Sequence, residues 1–141
     1  MIDLGGHRAY LDDALAAAQA APLSRRKALL AALLIDAHVD RLFAAGGRGD
    51  DILDYRDRLA REAPAVGLVL TLCSQQHTTQ LIIEAVGVPL AEYGRLSTAD
   101  FMVSLYNGQS VQRLLLVDPA GQRHDVHAAL QAALAALDAI G

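Results

Sequence analysis

The sequence predicts an α+β fold with a mostly helical N-terminal half, a small antiparallel sheet that contains a β-hairpin, and a C-terminal helix. Apolar residues recur at helical spacing through the first half of the chain. A strand-forming run at 111–117 is followed by the turn sequence Asp118-Pro119-Ala120-Gly121. Near the end, Leu130, Leu134 and Leu137 repeat at helical spacing.

The first helix is predicted over residues 8–21. Gly5-Gly6 is expected to interrupt any earlier structure, and Pro22 stops the helix. Its predicted apolar stripe consists of Tyr10, Leu11, Leu15 and Ala18.

The second helix is predicted over residues 25–45, between an N-cap at Ser24 and a stop at Gly46-Gly47. At about 100° per residue its apolar side chains cover nearly the whole circumference. These side chains are Leu29, Leu30, Leu33, Leu34, Ile35, Val39, Leu42 and Phe43. Such a helix is either the central helix of the fold or part of a subunit interface.

Two shorter helices are predicted next. Asp50 is expected to cap the third helix, which runs through Glu62 and buries Ile52, Tyr55 and Leu59. The segment 64–75 begins with proline, which suits the first turn of a helix, but its β-branched residues also fit a buried strand. Periodicity does not separate the two structures, and the helix is preferred.

The second half predicts the sheet. Strands are expected at 80–88, 111–117 and 122–126, with an irregular segment at 91–96 and a short helix at 98–106. That helix follows the capping pattern Ser97-Thr98-Ala99-Asp100 and ends at Asn107-Gly108. The C-terminal helix is expected to begin at Asp125 or His124 and to run to Ile140.

Composition predicts one α+β domain over residues 1–141. Hydrophobic residues make up 53% of the chain and charged residues 20%, so a core is easily built. The net charge is −4 and aromatic residues make up only 4%, which argues against a nucleic-acid partner. The basic run Arg25-Arg26-Lys27 is interpreted as a solvated helix end rather than as a phosphate site.

Several other features indicate a soluble cytoplasmic protein. The single cysteine rules out an internal disulfide. We expect no signal peptide and no membrane association, because the longest apolar runs fall well short of the roughly 20 residues that a spanning helix needs. Dinucleotide, phosphate-loop and zinc-protease motifs are absent from the sequence, so no cofactor is expected.

Cys73 and His77 form the first candidate catalytic pair. They are four residues apart and would share a face of a continuous helix, where the histidine could favour the thiolate. The alternative is that Cys73 is a small buried apolar residue and His77 a solvated loop residue.

Asp36 and Asp40 form the second candidate pair, one turn apart on the second helix. Two carboxylates in a poorly solvated place raise each other's pKa, which suits acid–base chemistry. The alternative is that they face solvent or pair with arginines of neighbouring helices, for which Arg8, Arg56 and Arg58 are available.

His124 and His127 are candidate metal ligands, with His77, Cys73 or His7 to complete the site. The alternative places His124 at a strand end and His127 in the first turn of the last helix. Tyr106, Asn107 and Gln109 belong to a dense polar turn, which is predicted to bind a ligand or to act only as a helix cap.

These observations favour a non-enzymatic accessory or binding protein that acts as a homodimer and possesses a surface for a protein partner. The second or the C-terminal helix is expected to supply the dimer interface, because apolar surface exceeds what one core hides. The alternatives are a small enzyme that uses Cys73 with His77 or the pair Asp36/Asp40, and, third, a histidine-bound metal protein.

Overall fold

The fold is α+β, as predicted, in a computed structural model that describes residues 4–46, 51–75 and 78–140. Four helices precede a three-stranded antiparallel sheet, and a last helix closes the fold. The helices are α1 (Leu4–Ala20), α2 (Arg25–Ala45), α3 (Ile52–Glu62), α4 (Pro64–Ser74), α5 (Thr98–Tyr106) and α6 (Val126–Ile140). The strands are β1 (Gln80–Gly87), β2 (Ser110–Val117) and β3 (Arg123–Asp125), and a 3-10 helix spans Leu90–Arg95.

Helix α1 begins earlier than the sequence predicts. Gly5 and Gly6 lie inside its first turn, so the expected interruption there is wrong. Glycine costs about 1 kcal/mol in a helix interior. The helix extends through both glycines nevertheless, and His7, which follows them directly, is buried. The buried face is also rotated from the predicted stripe, because Tyr10 is 71% exposed. That face consists of His7, Leu11, Ala14 and Ala18.

Helix α2 is the central helix of the fold. Ser24 caps it by accepting a hydrogen bond from the Lys27 backbone N–H, and Gly46 follows its last turn, as predicted. It contacts α1, α3, α4 and α6. Leu30 and Leu33 nevertheless remain exposed. Its buried residues are Ala28, Ala31, Ala32, Ile35, His38 and Val39.

Helices α3 and α4 cross closely. The N-cap of α3 is Asp51, which accepts from the Leu53 N–H, rather than Asp50, which lies outside the described residues. Pro64 starts α4, and the helical alternative for this segment is confirmed. A Cβ on Gly67 would stand 3.1 Å from the carbonyl oxygen of Ala60 in α3, so any larger residue would push the two helices apart by a few tenths of an ångström.

The sheet has β2 at its centre. Strand β1 pairs with β2 along eight residues, from Gln80 with Val117 to Gly87 with Ser110, and β3 pairs on the other side. Leu114 and Leu116 of β2 are buried in the same core as the helices, and Leu81, opposite Leu116, packs against it. This face therefore joins the sheet to the helical core.

The predicted hairpin turn joins β2 to β3. The Gly121 N–H donates to the Asp118 carbonyl at 2.9 Å, which closes the turn. The Asp118 carboxylate accepts from the N–H groups of Ala120 and Gln122 at 3.0 and 2.9 Å. Gly121 has φ +84°, which glycine adopts at little cost.

The connection between β1 and β2 carries the 3-10 helix and α5. Residues 91–96, expected to be irregular, lie mostly in the 3-10 helix, and its Tyr93 contacts the Phe101 ring edge-on at 5.8 Å. Ser97 caps α5, as predicted, and Arg113 of β2 pairs with Asp100 at 3.2 Å.

Helix α6 closes the fold. The Asp125 carboxylate accepts from the His127 N–H just before the first turn, which agrees with the predicted start. Leu130, Leu134 and Leu137 are all buried, so the chain itself covers the stripe that the sequence predicts. In the part of the chain that the structure describes, no helix combines the length and apolarity needed to cross a bilayer.

The hairpin yields a stability prediction. Gly121→Val forces a β-branched residue into a left-handed backbone conformation, so we expect a loss of unfolding free energy on the order of 1 kcal/mol. Gly121→Asn is the matched control and should cost less, because asparagine tolerates positive φ. Urea unfolding monitored by circular dichroism measures both. Equal stability of Gly121→Val and wild type would contradict the prediction.

Candidate functional site

Arg56 brings Asp36 and Asp40 into one ion-pair cluster. From α3, its guanidinium donates to both carboxylates of α2, with 2.7 Å between Nη1 and the Asp40 Oδ1. This is the arginine pairing that the sequence analysis gives as the alternative to acid–base chemistry. One guanidinium contacts both carboxylates, so the cluster joins α2 to α3.

Cys73 lies near this cluster, half-buried on α4. Burial raises the pKa of its thiol to about 12, with a further contribution from the negative charge of Asp36. At neutral pH the sulfur is therefore protonated and a poor nucleophile. His77, the predicted activating residue, lies outside the described residues, so the structure does not place the pair.

His124 and His127 have separate partners. His124 Nε2 lies 2.9 Å from the Asp118 carboxylate, and His127 Nε2 lies 2.9 Å from the Pro22 carbonyl oxygen. The contact with His124, followed by the Gln122 N–H, lowers the pKa of Asp118. Within the described ranges, no three histidine, cysteine or acidic residues are grouped so that they could hold a metal.

Backbone carbonyl groups of the turn after α5 accept hydrogen bonds that hold the turn between the helix and β2. The Asn107 carbonyl accepts from the Ser110 hydroxyl at 2.6 Å. The Gln109 carbonyl accepts from the Val88 N–H at 2.7 Å, and Gln109 itself has φ +64°. The side chain of Tyr106, the third predicted binding residue, is 82% exposed.

Tyr106 belongs to an apolar surface that the sequence analysis did not single out. We define the α5 surface as Phe101, Met102, Val103, Leu105 and Tyr106, all of them exposed. Ser104 is the one residue of α5 that is fully covered, at 1% exposure. The sequence contains a signal for this surface, because only Ser104 is polar among the six consecutive residues 101–106.

The outer edge of β1 is a second open feature. In the described sheet, β1 has β2 as its only neighbouring strand, so one side of its backbone is not paired in a ladder. Ile83 and Val86 are exposed on it. An edge strand of eight residues with a single charged side chain, Glu84, offers a template for pairing with another strand.

A buried histidine pair links α1 to α2. The Nδ1 atoms of His7 and His38 are 3.3 Å apart, and the rings stack with centroids 5.4 Å apart. Desolvation lowers the pKa of both histidines, and the charge of Arg41 lowers both further. The pair is therefore neutral at pH 7, with one ring donating to the other. From the sequence, His7 is expected only as an additional metal ligand, and no pattern pairs it with His38.

No protein-family model, curated protein or solved structure matches this chain. Functional proposals for the chain consequently rest on its geometry. Asp36, Asp40, His124 and His127 each have a polar partner within the chain. The α5 surface has none of its five apolar side chains buried.

The protonated state of Cys73 predicts slow chemistry at its thiol. We expect a disulfide reagent such as DTNB to label the folded protein at least about a hundredfold more slowly at neutral pH than it labels the denatured chain. The rate should rise with pH through the alkaline range, since the thiolate is the reacting species. The urea-denatured protein is the control. Fast labelling of the native protein would instead support the enzyme hypothesis.

The histidine pair predicts a loss of stability in mild acid. Both histidines titrate near pH 6.5 in the unfolded chain and lower in the folded one, so below pH 6.5 the unfolded state binds more protons. The unfolding free energy should fall as pH drops through this range, by at most about 1.4 kcal/mol per pH unit for each histidine.

Urea unfolding of wild type at a series of pH values tests this slope. The double variant His7→Leu/His38→Leu should show a flatter profile, because both polar partners are replaced by apolar groups. If the unfolding free energy of the double variant falls with pH as steeply as that of wild type, other titratable groups cause the pH dependence.

Proposed function

We propose that this chain is a non-enzymatic interaction protein whose working form is a homodimer assembled through the α5 surface. The observation that carries the proposal is the concentration of exposed apolar side chains on one short helix. Of the thirteen large apolar residues exposed in the described ranges, five lie on α5. Apolar residues exposed singly are ordinary, but a contiguous group of this size is typical of an interface.

The size of the α5 surface fits a specific contact. Its side chains are between 38% and 82% exposed. At roughly 200 Å² for a fully exposed large side chain, these fractions correspond to about 500 Å² per copy. Two copies thus contribute about 1,000 Å², which is near the lower limit for a specific protein–protein interface.

A second copy of the chain is the occupant that fits this surface. The α5 surface contains no charged residue, so its self-association places no like charges against each other. The β1 edge can also pair with itself in antiparallel orientation. A two-fold axis at Ile83 would set Glu84 opposite Ile82 of the partner subunit and keep the two glutamates apart.

The proposed interface differs from the one expected from the sequence, which lies on α2 or α6. The leucines of α6 are buried within the chain, whereas α2 exposes Leu30 and Leu33. The α5 surface is the larger of the two open groups. The enzyme and metal-protein hypotheses have less support, because Arg56 pairs with both Asp36 and Asp40, and His124 and His127 contact different partners.

Sedimentation equilibrium at micromolar concentration tests the dimer. We expect wild type to sediment as a dimer, and Leu105→Glu/Tyr106→Glu to raise the dissociation constant by at least about a hundredfold, since it buries charge at the centre of the contact. Leu53→Glu is the matched control, because Leu53 is 66% exposed on α3, away from α5. It should leave the dimer intact.

Two results would contradict the proposal. A monomeric wild type at this concentration would remove the dimer itself. Dissociation by Leu30→Glu/Leu33→Glu, with the α5 variant still dimeric, would place the interface on α2. Circular dichroism of each variant confirms that the chain remains folded, so loss of the dimer is not confused with unfolding.

A further inference from the structure

A cavity of about 500 Å³ opens between the start of α2, the end of α4 and β1. Its volume lies within the range of small-molecule sites. Leu29, Leu72 and Leu81 give it an apolar wall, and Gln80 contributes from β1. None of these residues belongs to the α5 surface, whereas Gln80 and Leu81 belong to β1.

Two arginines give the cavity a positive side. Arg25 and Arg26 line it from the first turn of α2, where unpaired backbone N–H groups and the helix dipole add positive potential. Arg25 Nε donates to the Leu81 carbonyl at 3.1 Å, which fixes the side chain against β1. Among the described residues, no carboxylate lines this cavity or pairs with either arginine.

Thr79 supplies an independent observation. It lines the same cavity, is 2% exposed, and its Oγ1 has no hydrogen-bond partner in the described part of the chain. A buried hydroxyl without a partner is costly, and native structures rarely keep one. The oxygen has almost no accessible surface, so the side chain would have to rotate toward the cavity before a ligand oxygen could provide the missing partner.

We propose that this cavity binds a small amphipathic carboxylate. The carboxylate head would pair with the guanidinium groups of Arg25 and Arg26, and the apolar body would lie against Leu29, Leu72 and Leu81. The Thr79 hydroxyl would donate a hydrogen bond to a ligand oxygen. Leucine walls select a chain of several methylene groups, and the arginines select the anionic form over a neutral or cationic analogue.

Octanoate is the probe, titrated into the full chain and followed by ¹H–¹⁵N NMR. We expect saturable shifts of the Arg25, Arg26 and Thr79–Leu81 amides, with a dissociation constant of roughly 0.1–1 mM, as suits so small a ligand. Acetate, which lacks the apolar body, and octanol, which lacks the charge, should each bind at least about tenfold more weakly. Equal binding of either analogue, or no saturable binding of octanoate, would overturn the proposal.

Two arginine variants test whether a charge at the cavity is needed for octanoate binding. Arg26→Gln should weaken octanoate binding roughly tenfold, because it removes one charge-assisted contact. Arg95→Gln, in the 3-10 helix, removes the same charge elsewhere and should bind as wild type. If Arg26→Gln and Arg95→Gln bind octanoate with the same affinity, the charge of Arg26 has no role in the site and the proposal fails.

Thr79→Val tests the unpartnered hydroxyl without changing the shape of the side chain much. We expect it to weaken octanoate binding while the urea midpoint of the free protein stays equal or rises, since the variant removes a buried polar group that has no partner. A lower urea midpoint with unchanged octanoate affinity would show that the hydroxyl acts in the free protein and not toward a ligand.

Discussion

Five residues along α2 have no solvent exposure, and the positions of the other helices follow from their burial. They are Ala28, Ala31, Ala32, Ile35 and Val39. Because three of them are alanines, neighbouring helix backbones can approach closely, and α1, α4 and α6 all contact α2. Hydrophobic burial drives this arrangement, but the small side chains set its geometry. The sheet joins the same core through Leu114 and Leu116 of β2.

The helices around α2 provide partners for several polar residues that would otherwise be available for catalysis or ligand binding. Where α1 meets α2, the Nδ1 atoms of His7 and His38 share one hydrogen bond, while His7 Nε2 has no partner among the described residues. Where α3 meets α2, Arg56 joins both carboxylates. A partly buried polar group needs a partner, and in a small domain that partner comes from the next helix. The groups left open lie on α5, along β1 and at the first turn of α2.

The candidate site illustrates what patterns in a sequence can predict. Asp36 and Asp40 are correctly placed one turn apart, and the arginine that pairs with them was one of three candidates. Which arginine it would be depends on how α3 crosses α2, and the crossing in turn depends on distant packing. The α5 surface follows from its apolar run once the helix is known to touch little besides β2. Periodicity alone does not show which neighbours an element has.

Local interactions allowed the sequence by itself to determine the caps at Ser24 and Ser97, the hairpin turn at Asp118–Gly121 and the leucine stripe of α6. In each case the decisive hydrogen bonds or spacings lie within a few residues. The tertiary structure alone decided that α1 extends through Gly5 and Gly6 and that Thr79 is buried beside two arginines, and it confirmed the helix that the sequence favoured over a strand for α4. Those outcomes depend on contacts between residues far apart in the chain, whose packing energy outweighs local preference.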